Sequence, residues 1–336
     1  MAKSYICVFD CETIPDASLL RRIYGYDGDD MDVSLQAFEA QKQVSGSEFL
    51  PIIYHRVVAI SAVMADEYGR FLRVSTMKGE NEREILTKFI TFINEHNPRL
   101  VSFNGRGFDL PMIMARAMRY NISASAYYET DNKELNKDKW KNYRSRYDGR
   151  FHLDLLDHIS DFGAVRGLKL DALCASLNIP GKYDVSGDQV LELFYQNEIE
   201  KINEYCESDV LNTYWVFLKF ELLQGNILLS DYANCLSIMS EYLDKNCQNR
   251  GYVGVFCEYI SKEIDRLSGN ASYEDEQADY KYDEDFQKVD IKNIDEHLAK
   301  SGLDGLLQKG VNAPLKSKPK AVLTELNLPE IDLDAE

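Results

Sequence analysis

The sequence predicts an α/β fold, a mixed sheet flanked by helices, with a helical C-terminal extension and an acidic tail. Three observations lead there. Short β-branched and aromatic runs alternate with segments of helical period over residues 1–225, the pattern of a sheet with helices on its faces. Residues 226–268 continue as helix without further strands. From 269 to 336 the chain is acidic, Tyr-rich and poor in branched aliphatics, a composition that buries too little apolar surface to offset chain entropy, so this tail is expected to be disordered.

Taken in order, Ser4 to Phe9 reads as a buried strand ending at Asp10-Cys11-Glu12. Pro15 to Phe49 is polar with Gly and Asp clusters and weak periodicity, which predicts an insertion with one short helix. Arg56 to Met64 and Phe71 to Met77 are the next strands, separated by a turn at Glu67-Tyr68-Gly69-Arg70. Ile85, Leu86, Phe89, Ile90 and Ile93 give Glu82 to Asn94 a helical period, and Asn97-Pro98 stops it. Leu100 to Phe103 is a short strand, and a glycine turn leads to Asp109. That Asp and Pro111 suit a helix start, the first as a cap, the second because its missing N–H costs nothing. Phe151 to Leu155 is a strand. Leu168 to Leu177, Asp188 to Tyr195, Glu198 to Leu223 and Asp231 to Ser268 read as helix.

Composition bounds the function. No run of about 18 apolar residues is present, so neither a transmembrane helix nor a membrane partner is expected. The N-terminus meets Asp10 too soon to be an export signal, which points to the cytoplasm. The seven cysteines are scattered, odd in number and without a CxxC pair, as free thiols would be. A net charge of −18 argues against non-specific nucleic-acid binding, but much of it lies in the tail and in clustered carboxylates.

Three motifs carry the chemistry. In Phe9-Asp10-Cys11-Glu12-Thr13, residues two apart on a strand share a face, so Asp10 and Glu12 can reach one cation. In Asn104-Gly105-Arg106-Gly107-Phe108-Asp109, Asp109 is either a helix cap or a third ligand. In Tyr205-Cys206-Glu207-Ser208-Asp209, helical spacing aligns Tyr205 with Asp209. Each alone is weak. Together they offer hard oxygens from several elements, which suit Mg²⁺ or Mn²⁺, and two such ions can drive phosphodiester hydrolysis.

In this order, FDCET, NGRGFDLP and YCESD resemble the three exonuclease motifs of the DEDD superfamily, from Ser4 to Phe220. They resemble in particular those of the free-standing bacterial proteins related to the exonuclease domain of family B DNA polymerases. The resemblance implies an RNase H-like fold, with Asp10, Glu12, Asp109 and Asp209 as ligands of two Mg²⁺ or Mn²⁺ ions. It makes Tyr205 the residue that orients the attacking water. Glu204 stands where another branch has His, so the Tyr branch (DEDDy) is implied.

The expected activity is removal of nucleotides from the 3′ end of single-stranded nucleic acid, DNA rather than RNA. An RNase D-like RNA-processing role, or a catalytically silent nucleic-acid-binding scaffold, is the alternative. Lys137, Lys139, Trp140, Lys141 and Arg144 interleave charge with aromatics as single-strand binders do, although a solvated loop reads the same way. Asn104, Arg106 and Lys182 are further candidate contacts. His152 and His158 read as packing residues. Residues 321–336 mix apolar and acidic side chains like a docking peptide for a protein partner or a segment that folds back on a basic groove, although a solubilising tail reads the same way.

Overall fold

The computed structural model describes residues 5–182 and 187–270, so the acidic tail from 271 onward and the expected docking peptide at 321–336 lie outside the described residues. The first strand, β1 (Tyr5–Pro15), runs well past the expected end at Phe9. Asp10 and Glu12 do not stop it, because a long partner strand supplies ladder bonds as far as Pro15, through a bulge between Glu12 and Thr13. Two helices follow where one was expected, α1 (Ala17–Tyr24) and α2 (Asp30–Ser45). Their signal lies in the caps. Asp16 accepts the Leu19 N–H, Asp29 and Asp32 form a capping box, and Gly25 and Gly46 close the helices with φ of 69° and 76°. Periodicity was a poor guide because α2 buries only Val33, Ser34 and Ala37.

The remaining elements are β2 (His55–Asp66), β3 (Phe71–Thr76), α3 (Glu82–His96), β4 (Arg99–Ser102), α4 (Asp109–Arg119), α5 (Ser125–Tyr128), β5 (His152–Asp154), α6 (Leu155–Ile159), α7 (Leu170–Ser176), α8 (Val190–Tyr195), α9 (Ile199–Leu223), α10 (Leu229–Asn246) and α11 (Tyr252–Leu267); they keep the expected order, except that the short helices α5 and α6 were not expected and the helical stretch expected from Asp231 to Ser268 is divided into α10 and α11. The sheet order is β3-β2-β1-β4-β5. The β1–β2 and β2–β3 pairs are antiparallel, and β1–β4 and β4–β5 are parallel. This is the mixed sheet flanked by helices that the RNase H-like expectation requires.

Strand alternation divides β1 between two cores. Cys7 and Phe9 pack with Leu86, Phe89 and Ile90 of α3 and Ile113 of α4. Ile6 and Val8 pack on the opposite face, in one cluster with Val210, Leu211 and Tyr214 of α9 and with residues of α10 and α11. Helix α9 is apolar around most of its circumference because it lies between the sheet and the last two helices. Trp215 is fully buried there, and its truncation to Ala would cost about 3–5 kcal/mol.

A polar chain crosses this layer. The Trp215 indole N–H donates to the Tyr232 hydroxyl at 2.8 Å, and that hydroxyl donates to Glu263 at 2.7 Å. Nearer the other end of α9, buried Glu207 accepts from Thr76 Oγ1 at 3.0 Å and from the Tyr252 hydroxyl at 3.1 Å, and pairs with Arg250 at 3.0 Å. No helix among the described residues is long and apolar enough to cross a membrane.

Candidate active site

The site exists because two strands differ in length. β2 pairs with β1 along its whole length, but β4 covers only Ile6, Cys7 and Val8 on the other side. β4 ends at Ser102, and the chain turns back through Asn104-Gly105-Arg106-Gly107. Asn104 adopts φ 69°, and a Cβ on Gly105 would lie 2.3 Å from Ser102 Oγ, so the turn requires glycine there. At the end of β5, the Asp154 carboxylate accepts the N–H groups of Asn104 (2.9 Å) and Arg106 (2.8 Å) and so fixes the turn's path.

That path delivers Asp109 to the uncovered edge of β1. Its carboxylate takes the Cys11 backbone N–H, and the Cys11 thiol donates to it at 2.8 Å. Of the two readings left open for Asp109, the structure does not support the helix cap. Phe108 is the N-cap, without a side-chain bond, and Asp109 instead serves the strand edge.

Asp10 and Glu12 share the β1 face of Ile6 and Val8, turned toward α9. One helical turn apart on α9, Tyr205 and Asp209 are joined by a hydrogen bond between hydroxyl and carboxylate. Glu12, Asp109 and Tyr205 are buried, and Asp10 and Asp209 are partly buried. Four acids from three chain segments therefore act on one another. Burial, then repulsion from Asp109 and Asp209, pushes the Asp10 carboxyl well above the usual range. Glu12 is raised by burial and by Asp10, Asp209 and Asp109, with Lys182 opposing. Burial lifts Asp109 to about 6 against its bonds from Cys11. Asp209 rises to about 7 through burial and Asp171, against the Tyr205 bond and Lys182. Burial and the neighbouring carboxylates keep Tyr205 a phenol.

Such a set is costly unless positive charge joins it. Its donors are hard oxygens, so it fits Mg²⁺ or Mn²⁺. Cys206 was not foreseen at the site. Its Sγ and the carboxylate oxygens of Asp10 and Glu12 lie within 4.8 Å of one another, and the thiol donates to the Asp10 carbonyl at 3.6 Å. A second unforeseen feature is an aromatic cluster beside the acids. Phe49, His55 and Phe108 lie with ring centres 5.1–5.3 Å apart, and Thr13 Oγ1 meets His55 Nδ1 at 2.9 Å. Its members are separated in sequence, so only the turn before Asp109 and the bulge after Glu12 bring them together.

Two expected nucleic-acid contacts are corrected. Lys137 is buried, and its ammonium donates to Asn97 Oδ1 (2.6 Å), Ala126 O (2.8 Å) and Glu129 Oε2 (3.0 Å). It also lies over the rings of Tyr143 and Phe151. A buried ammonium needs such partners, and they leave nothing for a phosphate. Arg106 is turned inward as well. It donates to the carbonyls of Arg144 (3.3 Å) and Ser145 (3.1 Å), meets His152 Nδ1 at 3.1 Å and pairs with Asp157 at 3.4 Å.

The other candidates face solvent to differing degrees. Asn104 and Lys139 are exposed, Trp140 is 71% exposed beneath the Lys139 ammonium, and exposed Arg144 lies over the Tyr128 ring. Lys141 is 3.7 Å from Asp138, and Lys182 pairs with Asp171 at 3.0 Å at the side of the cleft near Glu12 and Asp209. His152 is buried against Ser102 Oγ at 2.8 Å, a packing residue as expected.

Residues 47–260 match a family described as predicted 3′–5′ exonucleases related to the exonuclease domain of PolB. The chain belongs to this family. Membership places it among the 3′–5′ exonucleases of DEDD type. The match takes in the motifs of Asp109 and Asp209, and β1 with Asp10 and Glu12 precedes it.

Among curated relatives, the DNA polymerase of Autographa californica nuclear polyhedrosis virus is 24% identical over 258 residues, covering 72% of this chain and 25% of its own. The DNA polymerase of Archaeoglobus fulgidus is 25% identical over 138 residues, 40% of this chain and 17% of its own. The chain thus spans a quarter or less of these relatives. Among solved structures, the family B DNA polymerase of Pyrobaculum calidifontis aligns with a TM-score of 0.40 at 15% identity, over 72% of this chain and 29% of that one. The zinc-bound E. coli ExoI–ssDNA complex aligns with a TM-score of 0.33 at 12% identity, over 69% of this chain and 43% of that one.

Proposed function

We propose that the chain removes nucleotides one at a time from the 3′ end of single-stranded DNA, using two Mg²⁺ or Mn²⁺ ions held by Asp10, Glu12, Asp109 and Asp209. The observation that carries this is the convergence of these four acids, each pushed toward neutrality by burial and by its neighbours. A catalytically silent scaffold would have no use for so unfavourable a set. The bound pair supplies an activated water and neutralises charge on the leaving oxygen.

The chain's own residues do the rest. The Asp109 carboxylate is locked against β1 by Cys11, which fixes one ligand position before any substrate arrives. Tyr205, held as a phenol against Asp209, orients the attacking water and marks the Tyr branch. Glu204 supports that reading, because its carboxylate accepts the Gly251 N–H and is occupied at the α10–α11 turn. Phe49, 59% exposed, and Phe108 offer faces on which the terminal base can stack. DNA is favoured over RNA because the relatives named above are DNA polymerases. The seven cysteines are unpaired, which suits the reducing cytoplasm.

The test is degradation of 5′-labelled single strands of DNA and RNA of one sequence, in Mg²⁺, Mn²⁺ or EDTA. A 3′-shortened ladder and nucleoside monophosphates are expected with DNA and metal, and none from Asp10→Ala. No ladder in either metal, or an undiminished one in EDTA, overturns the proposal.

A further inference from the structure

The loop between α5 and β5 combines a fixed base with an unusually open aromatic surface. Its base is built inward. Tyr143 is fully buried with its hydroxyl on the Pro98 carbonyl at 2.6 Å, and the Lys137 ammonium is enclosed by three acceptors and two rings. Its surface points outward. Tyr128 is 49% exposed with the exposed Arg144 guanidinium 5.3 Å from its ring centre, and Trp140 carries Lys139 at 5.1 Å. Flat apolar rings left in water, each under a cation, on a loop that the fold holds rigid are a stacking surface without a partner. Bases in the segment 133–150 also outnumber acids, in a chain whose net charge is −18.

The loop is tied to the catalytic turn. Arg106, three residues before Asp109, donates to the carbonyls of Arg144 and Ser145, and both Arg106 and Arg144 act electrostatically on Tyr127. The backbone at Arg144 and Ser145 is therefore one Arg106 side chain away from the turn that leads to Asp109.

Resting on the exonuclease reading, we infer that Tyr128 and Arg144 form a subsite for a nucleotide upstream of the terminal one, the ring stacking on its base and the guanidinium meeting its phosphate. Every base has a π face, so the subsite holds any sequence, but only where the base is unpaired. Trp140 with Lys139 extends the same surface for longer strands. Lys137 and Arg106 serve it from beneath by holding the loop.

The experiment compares a 15-nucleotide single strand with the p-nitrophenyl ester of thymidine 5′-monophosphate, which has no upstream nucleotide. Tyr128→Ala and Arg144→Gln should raise KM for the strand by roughly 5- to 100-fold, the range for loss of one stacked base. They should leave kcat and turnover of the ester unchanged, which also shows that the variants are folded. Tyr128→Trp should restore KM. Unchanged KM, or an equal loss on strand and ester, overturns the subsite. If wild-type protein cleaves neither substrate, the exonuclease reading fails instead. Anisotropy of the labelled strand in EDTA then still decides the subsite, with weaker binding by both variants expected and equal affinities refuting it.

Discussion

Replacing Asp109 with Asn should make the metal-free protein more stable while destroying its activity. The Asp109 carboxyl is lifted from 3.8 to about 6 in the folded state, chiefly by burial. The folded chain therefore holds this proton more tightly than the unfolded chain does. The stability so gained is complete below about pH 4 and is lost as pH rises through about 6. At about 1.4 kcal/mol per tenfold change in acidity, the gap corresponds to roughly 3 kcal/mol at pH 8. Asn carries no charge and can still accept the Cys11 N–H, so Asp109→Asn should recover about 1–3 kcal/mol in EDTA at pH 8 and almost nothing at pH 4. Mg²⁺ at 100 times its dissociation constant should add about 2.7 kcal/mol to wild type and less to the variant, closing or reversing the difference. Urea unfolding followed by the fluorescence of buried Trp215 reads all of these quantities. A variant no more stable than wild type at pH 8 in EDTA, or a gain that is as large at pH 4, would refute the reasoning.

Three further outcomes follow from the same geometry. Asp10→Ala should abolish hydrolysis in a folded protein, and near-native turnover at saturating Mg²⁺ would remove Asp10 from the ligand set. Tyr205→Phe should slow single-turnover cleavage by roughly 10- to 1,000-fold with little change in the Mg²⁺ midpoint, whereas an unaltered rate would leave Tyr205 a packing residue. Lys137→Met should cost about 2–4 kcal/mol in urea unfolding, because three acceptors lose a buried cation. Unchanged stability with a smaller salt dependence of strand binding would return Lys137 to the phosphate contacts.

Strand and helix periods align Asp10 with Glu12 and Tyr205 with Asp209, but each motif alone is weak, and it is the order of the three motifs and their likeness to a known family that made the four carboxylates candidates in the sequence. Asp109 was a candidate through the same likeness, but its anchoring on Cys11 needed the structure, since a first-turn Asp reads locally as a cap until β4 is seen to stop short of Cys11. Charge in a loop proved the least readable feature. Lys137 and Lys139 are two residues apart in one basic run, yet one is enclosed and the other open, and only the acceptors Asn97, Ala126 and Glu129 decide which. The same holds for Phe49, His55 and Phe108, whose meeting no local pattern announces. Helix α2 has little apolar period, and the sequence signal for α1 and α2 lies in the Asp and Gly residues that cap them.

Glu207 stands between Tyr205 and Asp209 on α9, and its partners are Arg250 in the α10–α11 turn and Tyr252 at the start of α11. A protein engineer who cut after the third motif, at about residue 225, would keep every proposed metal ligand. The cut would nonetheless bare one flank of α9, leave Glu207 without its cation and strip the cover from Trp215, which bonds to Tyr232. The orientation of Tyr205 and Asp209 would then rest on the sheet side alone. The smallest piece to graft or fuse therefore ends no earlier than Leu267, and an exchange of α10 and α11 between relatives should be felt as altered cleavage although neither helix carries a proposed ligand.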